Sequence, residues 1–376
     1  MVRVIHTADW QMGMRAVHAG SAAERVRAER LDAAERLASM VRARGADFVL
    51  VCGDTFEDHH VDRALVSRVV EILASCRCPV YIISGNHDPM VPGSVWSDAS
   101  FRTAPTVHVL REQAPVEAPC GVVLWPCVAT ARHDENDPTR WIVAPQDGRL
   151  HVGLAHGTVE SVHREEPWYP IARDAAERAG LHYLALGHFH LPVLYPDSAG
   201  RVRMAYSGTH EPTRFGEKGG GTALLVTFDS PDKSPEIEQL QTGRLRWVQV
   251  ERTLRERTEL PALFAELAAL EGKDTTLLRV RLEGVFALDE QESLESLAEL
   301  VRGQFLYGRV ESHLRPAPTD ARWTETLPVG PTRDAALKLS RWADPECTDR
   351  PAEIQADVAA RALLELYVMA AETDPS

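Results

Sequence analysis

Residues 80–88 constrain the fold more than any other stretch of the sequence. They read Val-Tyr-Ile-Ile-Ser-Gly-Asn-His-Asp, an apolar run followed by a small-residue break and three polar side chains. A continuous apolar run of this kind is typical of a strand buried in a parallel sheet. Open α/β sheets bind ligands at the carboxyl ends of their strands. Asn86, His87 and Asp88 therefore mark a candidate site.

The pattern of residues 80–88 repeats earlier in the chain. Residues 2–8 and 48–52 are predicted strands, and they lead into Asp9-Trp10-Gln11 and Gly53-Asp54. Amphipathic helices are predicted at 21–44 and 62–75, and Gly45 stands where a glycine commonly ends a helix. The β-α-β-α-β order predicts a parallel sheet with packed helices.

Further strands are predicted in the next part of the chain, with a short helix at 171–179. The apolar segments 150–154 and 183–186 end in His156-Gly157 and Gly187-His188-Phe189-His190. Segments 107–110 and 121–125 are also predicted strands. Segments 202–206 and 222–228 are predicted to close the sheet as an antiparallel pair, with a glycine-rich loop between them.

The chain has 376 residues, so we expect more than one domain. We predict a main domain over 1–250 and a helix-strand-helix-strand block over 251–315. A Pro-rich linker is expected over 316–334 and a helical tail over 335–376. The block at 251–315 offers no cluster of metal ligands, which favours a capping role.

Composition narrows the classes of partner and compartment. A formal net charge of −14 argues against a broad basic surface, although bound divalent metals reverse the sign of a carboxylate-lined site. No run of 18 apolar residues is present, so we expect no membrane span. The chain begins without the apolar core of a signal peptide. Cys52 and Cys120 are expected to be buried, reduced thiols in a cytoplasmic protein.

The polar residues at five strand ends form one candidate metal centre. Carboxylates and imidazoles together suit manganese, iron or zinc better than calcium. There are too many ligands for one ion, and a shared carboxylate fits two ions about 3.5–4 Å apart. The candidates are Asp9, Gln11, Asp54, Asn86, His87, His156, His188 and His190.

These motifs together resemble the calcineurin-like metallophosphoesterase superfamily, and within it the SbcD-type DNA double-strand-break repair nucleases. The resemblance implies an α/β fold, a four-layer α/β/β/α sandwich with a small α/β capping domain and a C-terminal helical tail. It covers about residues 1–315. The narrower likeness depends on His6-Thr7-Ala8-Asp9-Trp10, Tyr206-Ser207-Gly208 and Phe215-Gly216-Glu217.

The resemblance also implies a role for each candidate residue. The first metal ion would be held by Asp9, Gln11, Asp54 and His190. The second would be held by Asp54, Asn86, His156 and His188, with Asp54 as the bridge. His87 would orient the phosphate and protonate the leaving oxygen, and Asp88 would orient His87.

Two stretches depart from the family pattern. Gln11 stands where the family usually has histidine, which predicts weaker occupancy of the first metal and a stronger need for manganese. Residues 209–212, Thr-His-Glu-Pro, replace the usual Ser-Pro-Glu-Arg. Nearby cations are candidates for phosphate contacts, and solvated surface charge is the alternative interpretation. These cations are Arg15, Arg214 and Lys218.

The function we expect is manganese-dependent hydrolysis of DNA, exonucleolytic and with endonucleolytic cleavage left open. Resemblance implies an SbcC-like coiled-coil ATPase partner and a homodimer. The apolar stripe of residues 354–369 would dock that ATPase or fold back on the chain's own cap. Two alternatives stay open: a phosphodiesterase or phosphatase for small nucleotide-type phosphoesters, and a non-catalytic scaffold for DNA ends.

Overall fold

The computed structural model describes residues 1–160, 168–217, 219–286, 290–316 and 322–372. The chain divides into two compact units, Met1–Trp247 and Val248–Ser376. The strands of the first unit are β1 (Val2–Thr7), β2 (Phe48–Cys52), β3 (Val80–Ile83), β4 (Val107–Val109), β5 (Val116–Glu117), β6 (Val123–Pro126), β7 (His151–His156), β8 (Thr158–Val159), β9 (Pro170–Ile171), β10 (Tyr183–Gly187), β11 (Pro192–Pro196), β12 (Val202–Ser207), β13 (Thr222–Phe228) and β14 (Glu236–Gln241). Its α-helices are α1 (Ala23–Arg44), α2 (Arg63–Ala74), α3 (Ser100–Thr103) and α4 (Ala175–Arg178).

Two six-stranded sheets form the centre of this unit. The first has the order β14-β13-β1-β2-β3-β4, and the second has the order β11-β12-β10-β7-β6-β5. Neighbouring strands from β1 to β4 run parallel, and so do β12, β10, β7 and β6. The carboxyl ends of the parallel strands therefore lie along one edge of each sheet.

Side-chain packing produces four layers, as predicted. Val2 and Val4 of β1 point into a core shared by both sheets, and Ile5 points to the opposite side, against α1 and α2. A third core covers the outer face of the second sheet, where Ala175 and Ala176 of α4 pack. Both faces of the central strands are buried, which explains their continuous apolar sequences.

The predicted elements of the first ninety residues are confirmed. Gly45 ends α1 with φ 59°, and Asp62 caps α2 by accepting a hydrogen bond from Ala64 N. The predicted antiparallel pair of 202–206 with 222–228 is wrong. These segments are β12 and β13, which belong to different sheets, because β11 and β14 supply the antiparallel neighbours instead. Neither β11 nor β14 is predicted from the sequence.

The second unit combines a small α/β layer with helices. Its elements are β15 (Arg246–Leu254), α5 (Glu259–Ala268), β16 (Thr276–Phe286), α6 (Gln291–Gln304), β17 (Tyr307–Ser312), β18 (Arg315–Pro316), α7 (Trp323–Thr326), α8 (Pro331–Ala343) and α9 (Ala356–Glu372). Leucines of α5, β16 and α6 share one buried core. Helix α9 packs on α8, and its Arg361 and Glu365 pair with Glu256 and Arg255.

Part of the predicted linker, residues 317–321, lies outside the described residues. The rest of it contains α7 and the start of α8. Cys52 is buried as predicted, but Cys120 is exposed. The prediction for Cys120 is wrong because the residue occupies a turn with φ 61°, next to Gly121. Among the described helices, none combines the length and hydropathy needed to cross a bilayer.

His6 of β1 provides a polar link between the two sheets. Its Nε2–H donates to the carbonyl of Leu186 at 3.1 Å, and its Nδ1 accepts from the Tyr183 hydroxyl at 2.9 Å. Both partners belong to β10. Burial lowers the pKa of His6 from 6.5 to about 3, so the folded protein keeps this imidazole neutral.

We expect His6 to make folding sensitive to acid. Below pH 6.5 the unfolded chain binds a proton at this position that the folded chain excludes, so stability falls as the pH decreases toward about 3. Between pH 7 and 5.5 this group should remove about 1 kcal/mol of unfolding free energy. Urea unfolding of the wild type and of His6→Gln, each with a chelator present, measures this pH dependence. An equal pH dependence in both proteins would contradict the assignment, and exposed His60→Gln is the control.

Candidate metal centre

The predicted ligands converge at the carboxyl ends of strands from both sheets. The first sheet contributes three loops and the second sheet contributes two, and the packing of the sheets brings these ends together. Asp9 and Gln11 follow β1, Asp54 follows β2, Asn86 follows β3, His156 ends β7, and His188 and His190 follow β10.

Four of these side chains surround one point. The ligand atoms of Asp54, His156 and His188 all lie within 4.8 Å of one another. Asn86 Oδ1 is 2.9 Å from His156 Nε2 and 3.1 Å from His188 Nδ1. Asp54 Oδ2 is 3.3 Å from the same His156 nitrogen. One carboxylate, one amide oxygen and two imidazoles form a donor set that suits a divalent transition metal.

The charges of the cluster also fit bound cations. Asp9 and Asp54 are both buried, and burial raises the pKa of Asp9 to about 6 although His156 and His190 oppose the shift. Burial alone would raise the pKa of Asp54, but its pairing with His156 lowers it. Burial would likewise lower the pKa of His156, but Asp54 raises it to about 9. A bound divalent ion would compensate the charge of these carboxylates.

The backbone is strained at several predicted ligands. Asp9, Gln11, Asp54 and His188 have φ values of 56°, 42°, 49° and 105°, in the left-handed region that side chains other than glycine rarely occupy. Such conformations cost on the order of 1–3 kcal/mol each. Hydrogen bonds between the loops compensate, since Asp9 N donates to Gly53 O and Gln11 N to Asp54 O. Strain concentrated at these positions indicates a functional site.

Two glycines allow the ligand loops to approach closely. A Cβ on Gly85 would lie 2.1 Å from Asp54 Oδ1. A Cβ on Gly187 would lie 1.8 Å from the carbonyl oxygen of Cys52, and 2.8 Å from His156 Nδ1. Neither position can accept a side chain unless the ligand loops separate.

His87 and Asp88 have different surroundings. The His87 side chain is 37% exposed, and its Nδ1 lies 3.1 Å from the carbonyl of Glu57. The carboxylate of Asp88 is buried and accepts hydrogen bonds from Gly85 N and Phe56 N. Asp88 thus braces the loops after β2 and β3, while the carbonyl of Glu57 contacts the His87 ring. The role of Asp88 in orienting His87 stays a prediction.

Glu217 contacts His190, a predicted ligand for which the sequence indicates no supporting residue. Glu217 Oε1 lies 2.6 Å from His190 Nδ1 and accepts from Thr213 Oγ1 at 2.7 Å. Burial would raise the pKa of Glu217, but these partners lower it to about 2. In the sequence, Glu217 stands out only as part of a loop motif, because nothing local shows that it reaches His190.

Arg30 of α1 is a second residue that the sequence analysis missed. Its guanidinium is buried and donates to the carbonyls of Trp10 at 3.1 Å and Glu211 at 2.8 Å. It also approaches the carbonyl of Asp9 at 3.4 Å. A sign was present in the sequence, since Arg30 lies four residues after Val26 on the apolar stripe of α1.

Two of the three candidate phosphate-binding cations lie among the described residues. Arg15 is exposed, and Arg214 is exposed but lies 3.3 Å from Glu217. Lys218 lies outside the described residues. Their role in binding DNA stays a prediction.

Residues 2–192 match the family model of calcineurin-like phosphoesterases, and the chain belongs to this family. Its fold agrees with the four-layer prediction. Members of the family use divalent metal ions, which matches the donor set at the strand ends.

Individual relatives are distant. An uncharacterized metallophosphoesterase of Bacillus subtilis, YhaO, is 26% identical over 231 residues, which cover 58% of this chain and 54% of that protein. The chain thus matches about half the length of this curated relative. The solved structure of TT1561 from Thermus thermophilus is 9% identical, covers 64% of this chain and 99% of that one, and gives a TM-score of 0.43. A 5'-nucleotidase precursor from the same organism is 14% identical, covers 64% and 54%, and gives 0.35.

We expect Gly85→Ala to weaken manganese binding by about tenfold or more, because the added methyl group displaces Asp54. Titration calorimetry with manganese measures the effect. Gly303→Ala is the matched control, since it lies in α6 with no heavy atom within 4 Å of the added Cβ. That control should bind metal normally and gain about 0.5–1 kcal/mol of stability. Unchanged binding by the Gly85 variant would contradict the placement of Asp54.

Proposed function

We propose that the protein is a manganese-dependent DNA nuclease that hydrolyses phosphodiester bonds. The observation that supports it most is the convergence of Asp54, Asn86, His156 and His188, with the half-exposed His87 beside them. His87 N donates to Asp54 Oδ1 at 2.9 Å, so the imidazole is connected to the cluster through its own backbone.

The donor groups divide into two sets with one shared residue. In the proposed arrangement Asp9, Gln11, Asp54 and His190 hold one ion, and Asp54, Asn86, His156 and His188 hold the other. When bound, such ions supply Lewis-acid activation of water and neutralise charge at a phosphodiester. The buried carboxylates Asp9 and Asp54 would otherwise repel an anionic substrate.

His87 is the proposed general acid. A carbonyl oxygen only accepts hydrogen bonds, so the contact with Glu57 O requires the proton on Nδ1 of His87. Nε2 is then the nitrogen available to the substrate. A proton on Nε2 passes to the leaving sugar oxygen as the phosphorus–oxygen bond breaks. The partial exposure of His87 leaves room for a substrate phosphate.

Two features favour DNA over a small phosphoester. The chain continues after Trp247 into a second unit with an α/β layer and helices, which hydrolysis of a small ester does not require. Tyr206-Ser207-Gly208 and Phe215-Gly216-Glu217 resemble motifs of SbcD-type nucleases, whereas residues 209–212 between them depart from that pattern. Val358 and Met369 of α9 are each about half exposed, which fits our proposal that an SbcC-like ATPase docks there.

We expect manganese-dependent cleavage of end-labelled duplex or single-stranded DNA. His87→Ala should reduce the rate by about 10²- to 10⁴-fold, the usual contribution of a general acid. Asp54→Asn should abolish cleavage because both ions lose a ligand. Gel analysis of the products measures the rates and also gives the polarity of the reaction.

The control variant is His313→Ala, an exposed histidine of the second unit, which should cleave normally. A small chromogenic phosphodiester is assayed in parallel. Turnover of that ester alone would overturn the nuclease proposal in favour of a small substrate. If neither is cleaved even after an SbcC-like ATPase is added, while the metals are bound, the enzymatic proposal fails and the scaffold alternative gains support.

Gln11 should lower occupancy of the first ion, because an amide oxygen is a weaker donor than imidazole to a transition metal. Gln11→His is expected to raise manganese stoichiometry toward two per chain, as measured by elemental analysis after gel filtration. Gln249→His adds an exposed histidine on β15 and controls for surface binding. Full and equal occupancy of both sites in wild type and Gln11→His would sink the hypothesis.

A further inference from the structure

The loop before β13 contains a carboxylate that is buried beside the metal centre. The Glu217 side chain is 6% exposed, and the His190 side chain is 14% exposed. Their closest atoms, Oε1 and Nδ1, are 2.6 Å apart. A buried carboxylate at this distance from an imidazole forms a strong, directional hydrogen bond.

Thr213 holds Glu217 in this position from two sides. Its backbone N donates to Glu217 Oε2 at 2.6 Å, and its hydroxyl donates to Oε1 at 2.7 Å. The carbonyl of Thr213 in turn contacts His18 Nε2 at 2.7 Å. These contacts fasten the loop, and the carboxylate has little freedom to leave His190.

We propose that Glu217 is a positioning residue, which fixes the ring orientation and tautomer of His190 so that Nε2 faces the first metal ion. The inference rests on the metal-binding part of the proposed function and is independent of the substrate. Its evidence is the geometry around Glu217, since no other described residue donates to or accepts from His190 Nδ1 at less than 3 Å.

The chemistry of the imidazole explains the consequence. A carboxylate only accepts hydrogen bonds, so Nδ1 of His190 must carry the proton. The lone pair then resides on Nε2, the nitrogen that a metal ion requires. Partners of this kind orient histidine ligands and raise their basicity. Because Gln11 is a weaker ligand than histidine, the first ion depends more on the support that Glu217 gives to His190.

The test is a manganese titration of the full-length protein with Glu217→Gln. An amide in place of the carboxylate loses one contact in either orientation, because its NH2 group meets either the Nδ1–H of His190 or the N–H of Thr213. We expect one of the two manganese sites to weaken by about 10- to 100-fold, while the other keeps wild-type affinity. Retention of that second site shows that the variant has folded.

A double-mutant cycle separates positioning from a general structural effect. In a His190→Ala background, Glu217→Gln should cause no further loss of manganese affinity, because the residue acts through His190. Losses that add would overturn the proposal. Glu238→Gln, on an exposed residue of β14, controls for the change in charge and should bind manganese as the wild type does.

A second readout does not depend on affinity. In 15N-labelled protein without metal, at an alkaline pH that keeps the imidazole neutral, the His190 side chain should be the Nδ1–H tautomer in wild type and a mixture in Glu217→Gln. Unchanged tautomer populations, or wild-type manganese binding by Glu217→Gln, would overturn the positioning role. Wild-type protein that binds manganese but leaves DNA intact would overturn the nuclease proposal alone.

Discussion

The buried guanidinium of Arg30 supports the part of the structure on which the metal centre depends. It donates to carbonyls of the loop after β1 and to the carbonyl of Glu211, which follows β12 in the other sheet. A buried cation is costly unless all its hydrogen-bond donors are satisfied. Here the acceptors are backbone carbonyls of the loops rather than a carboxylate. The same bonds secure the backbone between Asp9 and Gln11, where φ is positive at both residues. One helix side chain thus stabilises a strained segment by bonding to loops that follow strands of both sheets.

Close packing of two sheets explains why strain is tolerated at the ligands. His6 joins β1 to β10 from within the shared core, so the ends of these strands are positioned by buried contacts. His188 N then donates to both carboxylate oxygens of Asp9, at 2.9 and 3.1 Å. A ligand of one sheet is therefore oriented by the backbone of the other. This coupling makes the site a property of the sandwich rather than of any single loop.

The sequence predicted the parts of the site that follow local rules. Apolar runs ending in Asp54, Asn86 and His156 identify strand ends, and the structure brings those residues together. Pairing between distant strands follows no local rule, so β12 and β13 were assigned to one sheet although they belong to two. Arg30 was missed because its partners lie 20 to 181 positions away along the chain. Glu217 was missed because its partner His190 lies 27 positions away. Burial of Cys120 was mispredicted since a turn interrupts its apolar surroundings.

The two sets of metal ligands differ in how they are supported. Asn86, His156 and His188 contact one another directly at strand ends, so the rigidity of the sheets sets their geometry. His190 is instead supported by Glu217, which belongs to a glycine-rich loop, and the amide of Gln11 is a weaker metal ligand than an imidazole. The first ion should consequently be the more weakly bound of the two. If hydrolysis uses both ions, as proposed, packing of the loop that contains Glu217 would affect activity through occupancy of the first site.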